Sequence, residues 1–127
     1  MIITPIYAAL LGLIYVGLSI NVIRTRSEQS VSLGDGGDQL LTRRIRGHGN
    51  FAEYVPIALI LLAFLEAGGA NAILVHALNA TLVLGRLLHA FALSSLVLRP
   101  FCRTSGMALT FAVIIIAALG ALWQSLT

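Results

Sequence analysis

Lysine is missing from this sequence, and charge of any kind is scarce: eight arginines and five acids make up 10% of 127 residues. A soluble domain carries about a quarter charged residues. The shortage excludes an ordinary water-soluble domain. A single cysteine, Cys102, excludes an internal disulfide and a paired-thiol metal motif. It neighbours Arg103, which can lower a thiol pKa, but an incidental interfacial cysteine is the stronger reading. The polar stretch "SEQSVSLGDGGDQ" has no Gly-Lys-Ser/Thr, so it is no phosphate loop. It also lacks the closing glutamate of a calcium loop and reads as a flexible connector.

What is present is apolar. Hydrophobic residues make up 58% of the chain, with a mean hydropathy of +0.95. They fall in four runs, each near the roughly 20 residues a helix needs to cross a bilayer. The pattern predicts an all-α, integral membrane four-helix bundle in one domain, with helices at about 4–24, 41–66, 71–98 and 104–125. In the first run the positive charges follow the apolar core, so it reads as a retained helix rather than a cleaved signal peptide.

Seven of the eight arginines flank the first and third connections: Arg24, Arg26, Arg43, Arg44, Arg46, Arg99 and Arg103. The loop "EAGGAN" has none. The positive-inside tendency places both termini away from the cytoplasm. Because the arginines sit at the ends of membrane runs, nucleic acid is not an expected partner; membrane lipid is.

The polar residues form two stripes. Arg43, Arg46, Asn50 and Glu53 step by three or four along the second helix and share a face. Arg44, His48 and Tyr54 lie off that face, and Pro56 tends to kink the helix. On the third helix, Arg86 and His89 are three apart in an apolar run. With that helix ending near 98, Arg86 lies about 18 Å from its end. An arginine at such depth costs at least about 2.5 kcal/mol and should face the bundle interior with a partner. Glu53, at similar depth on an antiparallel helix, is the expected counter-ion. Together the stripes and Arg103 suit a small zwitterionic ligand with more than one carboxylate. A buried Arg–Glu pair that only fixes helix packing stays open beside that reading.

"RIRGHGNFAEYVP" resembles the second-helix signature of the MAPEG family, the membrane-associated proteins of eicosanoid and glutathione metabolism. The core is Arg46, Asn50, Glu53, Tyr54 and Pro56, and the likeness continues through "SLGDGG", "GRLLHAFALS" and "RTSGMALT". The resemblance implies a bacterial-type member in the inner membrane, built as a homotrimer with glutathione bound between subunits. It implies glutathione contacts from Arg46, Asn50, Glu53 and Tyr54, with Arg86 and His89 as polar site positions. Arg26 would reach the site from the adjacent subunit. Arg103 would stabilise the glutathione thiolate, with Thr104 beside it. The implied activity is glutathione transfer to a lipophilic small molecule, or reduction of a lipid hydroperoxide.

Two departures stand out. Leu93 occupies the position, one turn past His89, where many active members have tyrosine. Gly49 replaces an arginine of the prostaglandin-synthase branch. The alternative is a non-catalytic protein that keeps the fold. A small multidrug exporter has the right length, but such exporters resemble one another in a membrane-embedded glutamate on helix one. Here helix one carries no charge before Arg24.

Overall fold

A computed structural model describes residues 2–127. They form four helices: α1 (Ile3–Gln29), α2 (Gln39–Ala67), α3 (Ala72–Leu93) and α4 (Pro100–Leu126). Each is long and apolar enough to span a membrane, and no strand occurs among the described residues. The chain is an all-α, multi-pass integral membrane bundle. With four spans, both termini lie on the same side.

The core follows helical spacing. Phe51, Val55, Ala58, Leu62 and Leu65 are buried at steps of three and four along α2. That stripe meets Leu11 of α1, Leu82 of α3 and Val113 and Ala117 of α4. α2 therefore touches all three other helices. The opposite faces carry exposed Leu13, Ile20, Ile115 and Leu119, as a lipid-facing surface requires. α2 runs through Pro56 as one helix. α3 and α4 cross at Gly85 and Gly106. A methyl group built on Gly106 would stand 2.6 Å from the Gly85 carbonyl oxygen, so only a residue without Cβ allows this approach.

Three helix ends differ from expectation. α1 continues to Gln29, past the arginines, because helix-forming Arg26, Glu28 and Gln29 carry it into the polar region. α3 stops at Leu93 rather than near 98. Ser94 Oγ bonds back to the Phe91 carbonyl at 2.8 Å. Arg43 and Arg44 take the carbonyls of Ala92, Ser94 and Ser95. With those carbonyls satisfied from outside, further helical turns have no advantage. α4 then begins at Pro100 rather than 104, since proline suits the first helical turn and disfavours helix at the residue before it.

The two ends of the bundle close differently. At the end holding the termini, Glu66 accepts from the amides of Ile2, Ile3 and Thr4 at 2.6–2.8 Å. It caps α1 from another helix, and α1 has no side-chain cap of its own. At the other end lies the 30–38 connection. Asp38 caps α2 by accepting from Leu41 N at 2.7 Å. The Gly37 amide, and then the Thr42 hydroxyl, hold the Asp35 carboxyl below the usual carboxylate range.

Candidate functional site

Arg86 is the largest fully buried side chain, 1% exposed near the end of α3. Its Nη1 donates to Asn50 Oδ1 at 2.8 Å and its Nη2 to Met107 Sδ at 3.5 Å. Nε has no partner among the described residues. The expected Arg86–Glu53 pair is not formed. Glu53 lies instead beside Arg46 at 3.6 Å, with the two side chains 53% and 59% exposed. Helical geometry accounts for this. Positions advance by about 100° per residue, so Asn50 is offset from Arg46 and Glu53 by about 40–60°. That offset turns Asn50 toward α3 and leaves the charged pair on the outer surface.

His89, one turn along α3 from Arg86, is also buried. Its ring lies in the field of Arg86, Arg103 and Arg46. Tyr54 packs edge-on against Phe111 of α4, with ring centroids 5.5 Å apart. Arg103 and Thr104, in the first turns of α4, line a hollow of about 480 Å³ with Arg43, Arg99, Leu98 and Met107. Met107 joins the two regions, since it lines this hollow and also accepts from Arg86. Asn50, Arg86, His89, Arg103 and Thr104 thus gather at one end of the bundle, with Arg46, Glu53 and Tyr54 along the adjoining face of α2.

Arg26 is not brought to this group within one chain. Its Nη1 donates to the Gly34 carbonyl of the connection. It lines a separate hollow with Ile23, Ser30 and Val31. Leu93 is buried, and it packs over Gly47.

Two structural residues escaped the sequence reading. Arg43 leaves the α2 stripe to hold α3: its Nε donates to Ser95 O at 2.7 Å and its Nη2 to Ala92 O at 2.6 Å. Arg44 donates to Ser94 O at 3.2 Å and to the buried hydroxyl of Thr25 at 2.6 Å, joining α1, α2 and α3. The Ser-Ser pair followed by Pro100 was the available signal, since it marks a helix end whose carbonyls need donors. His48 turns toward α1, with Nε2 2.9 Å from Ser19 Oγ and its ring stacked on Tyr15 at 4.7 Å.

The sequence profile of the MAPEG family matches residues 4–123. The chain is 37% identical over 121 residues to a protein named inner membrane protein YecN in two strains of Escherichia coli, covering 95% of this chain and 91% of the relative. A match of that extent, carried on four spanning helices and the second-helix signature, places this chain in the MAPEG family.

Proposed function

We propose that this protein binds glutathione at the arginine-rich end of the bundle and uses its thiolate on lipophilic electrophiles or hydroperoxides. The observation that carries this reading is Arg86. It is a fully buried cation whose hydrogen-bond partners are a neutral amide and a thioether, with Nε left without a partner among the described residues. A buried charge held only by neutral groups is costly. Arg46 and Arg103 act together with Arg86 on the neighbouring His89 ring. An anionic ligand relieves this excess, and a guanidinium grips a carboxylate bidentately. Glu53, outside the Arg86 contact, is available to take the ligand's ammonium group.

The proposed assembly is a homotrimer. Arg46 and Glu53 stand 59% and 53% exposed on a membrane helix of the isolated chain. Ionised groups facing lipid are expensive, so contact with another copy would cover them and bring its Arg26 within reach. The proposed orientation puts the arginine-rich end in the cytoplasm. A reporter fused at Thr127 should then be active only outside the cytoplasm; a cytoplasmic signal would reverse the orientation.

In the proposed chemistry, Arg103 stabilises the glutathione thiolate and Thr104 donates a hydrogen bond to it. A thiol of pKa about 8.5 is mostly protonated at neutral pH. Each unit by which a nearby cation lowers it favours the thiolate by about 1.4 kcal/mol. Calorimetry on detergent-solubilised protein should detect glutathione binding. Arg103→Ala should abolish the ultraviolet thiolate signal and conjugation of chlorodinitrobenzene, while binding persists through Arg46, Asn50 and Glu53. Lysine at 103 should rescue partly, keeping the charge without the planar fork. No heat of binding from the wild-type protein would sink the proposal. A second reading is favoured by Leu93, buried over Gly47 with no polar group to offer. On that reading glutathione binds without a thiolate signal or turnover.

A further inference from the structure

The hollow between the α3–α4 connection and α2 has three guanidinium groups in its wall, those of Arg43, Arg99 and Arg103, and no acid among the described residues lines it. Two of the three are fixed in place. Arg99 lies over the Phe91 ring, 4.1 Å from its centroid, and Nη1 donates to Ser95 Oγ at 2.8 Å and Phe91 O at 3.3 Å. Arg43 is held by the carbonyls of Ala92 and Ser95. Each keeps at least one N–H without a partner among the described residues. Beside the hollow, Leu98 is 77% and Phe101 82% exposed, with Leu96 and Val97 also bare. The hollow lies where α3 ends, at the level of a membrane interface.

We propose that this hollow holds the headgroup of one acidic phospholipid. Arg99 and Arg43 grip the phosphate, and the acyl chains lie along Leu98 and Phe101. Charge selects the lipid class. A zwitterionic headgroup would bring its ammonium among arginines with no acid to receive it. An acidic headgroup brings only the charge the hollow lacks. The exposed apolar fringe of Leu98 and Phe101 gives the acyl chains of a lipid a surface continuous with the hollow, which a soluble phosphate would not use. The proposal does not rest on glutathione binding; Arg103 and Thr104 form the wall the two sites share.

The test uses the full chain in a neutral detergent. Native mass spectrometry follows binding of phosphatidylglycerol and of phosphatidylcholine with the same acyl chains. Phosphatidylglycerol should be retained in preference, one per chain. Arg99→Gln should reduce that preference about fivefold, the order expected for one basic residue at a lipid surface. Arg24→Gln removes an exposed arginine from the same end of the bundle but away from the hollow, and should change nothing. Equal retention of the two lipids overturns the proposal. So does an equal loss in both variants, which would mean a diffuse surface charge. Displacement of the lipid by inorganic phosphate at matching concentration would mark a free-anion site instead. Lipid held by monomers but absent from oligomers would mean that a second copy covers the hollow. Failure to bind glutathione leaves all these readouts in place.

Discussion

The two ends of this bundle solve the same problem with opposite charges. At the end carrying the termini, a carboxylate meets backbone amides: Glu66 takes three N–H groups at the start of α1. At the other end, guanidinium groups meet carbonyls: Arg43 and Arg44 take the last oxygens of α3 and its connection. Both follow from the partial charges at helix termini. The difference lies in what is left over. Glu66 is absorbed by its cap. The arginine end has more cations than it needs for capping, and Arg86, Arg103 and Arg99 remain wholly or partly free of carbonyl partners. One end is a closure; the other is a closure with surplus positive charge, and the proposed binding chemistry belongs to the surplus.

The losses should therefore follow what each substitution strands: three amides at one end, a buried cation at the other, and least where the charge is kept. The largest loss is expected from Glu66→Ala, which leaves three amides without their acceptor. Hydrogen bonds to charged groups contribute about 1.5–3 kcal/mol each, and some are replaced by water at this end, so the net loss should be about 3 kcal/mol. Detergent-denaturation midpoints would measure it. An unchanged midpoint would mean that the cap contributes nothing.

Next is the buried surplus. Asn50→Leu removes the one oxygen bonded to Arg86 among the described residues and should cost about 2 kcal/mol. Arg86→Met in that background removes the stranded charge and should restore most of the loss, because an apolar side chain of similar volume avoids the desolvation of a buried ion. If the double variant is as unstable as Asn50→Leu alone, Arg86 is not the source of the cost. The smallest effect is expected from Arg44→Lys. It keeps the charge but not the fork that reaches both Ser94 and Thr25, and interhelical hydrogen bonds within membranes average about 0.6 kcal/mol. Hydrogen exchange at the end of α3 would detect the loosening even if the midpoint hardly moves.

The helices were legible because a spanning helix must be apolar over its whole length, and four runs satisfied that. Where each helix stops was not a matter of composition. Leu96, Val97 and Leu98 are as apolar as the residues of α3, yet they lie outside it. The carbonyls before them are claimed by arginines about 50 residues earlier in the chain. The polar stripe of α2 was legible as a stripe. Its division was not, because a rotation of about 40–60° decides whether a side chain faces α3 or the outside. Asn50 therefore holds Arg86, where opposite charge alone favoured Glu53. The gathering of His89, Arg103 and Thr104 with Arg86 followed from antiparallel spans of similar length. Arg26 had no such constraint, and within one chain it turns to the Gly34 carbonyl.

The early end of α3 has an electrical consequence. α3 has 22 residues, about 33 Å of helix, and Arg86 lies about 10 Å from its end. An energised membrane drops its potential across that thickness, and a full crossing changes the energy of a unit charge by about 2.3 kcal/mol per 100 mV. An anion that settles against Arg86 crosses up to about a third of the drop. Its affinity then changes by up to about threefold for every 100 mV. If an anion binds there as proposed, its occupancy in a living membrane follows the proton-motive or ionic state of the cell, a dependence that detergent micelles erase.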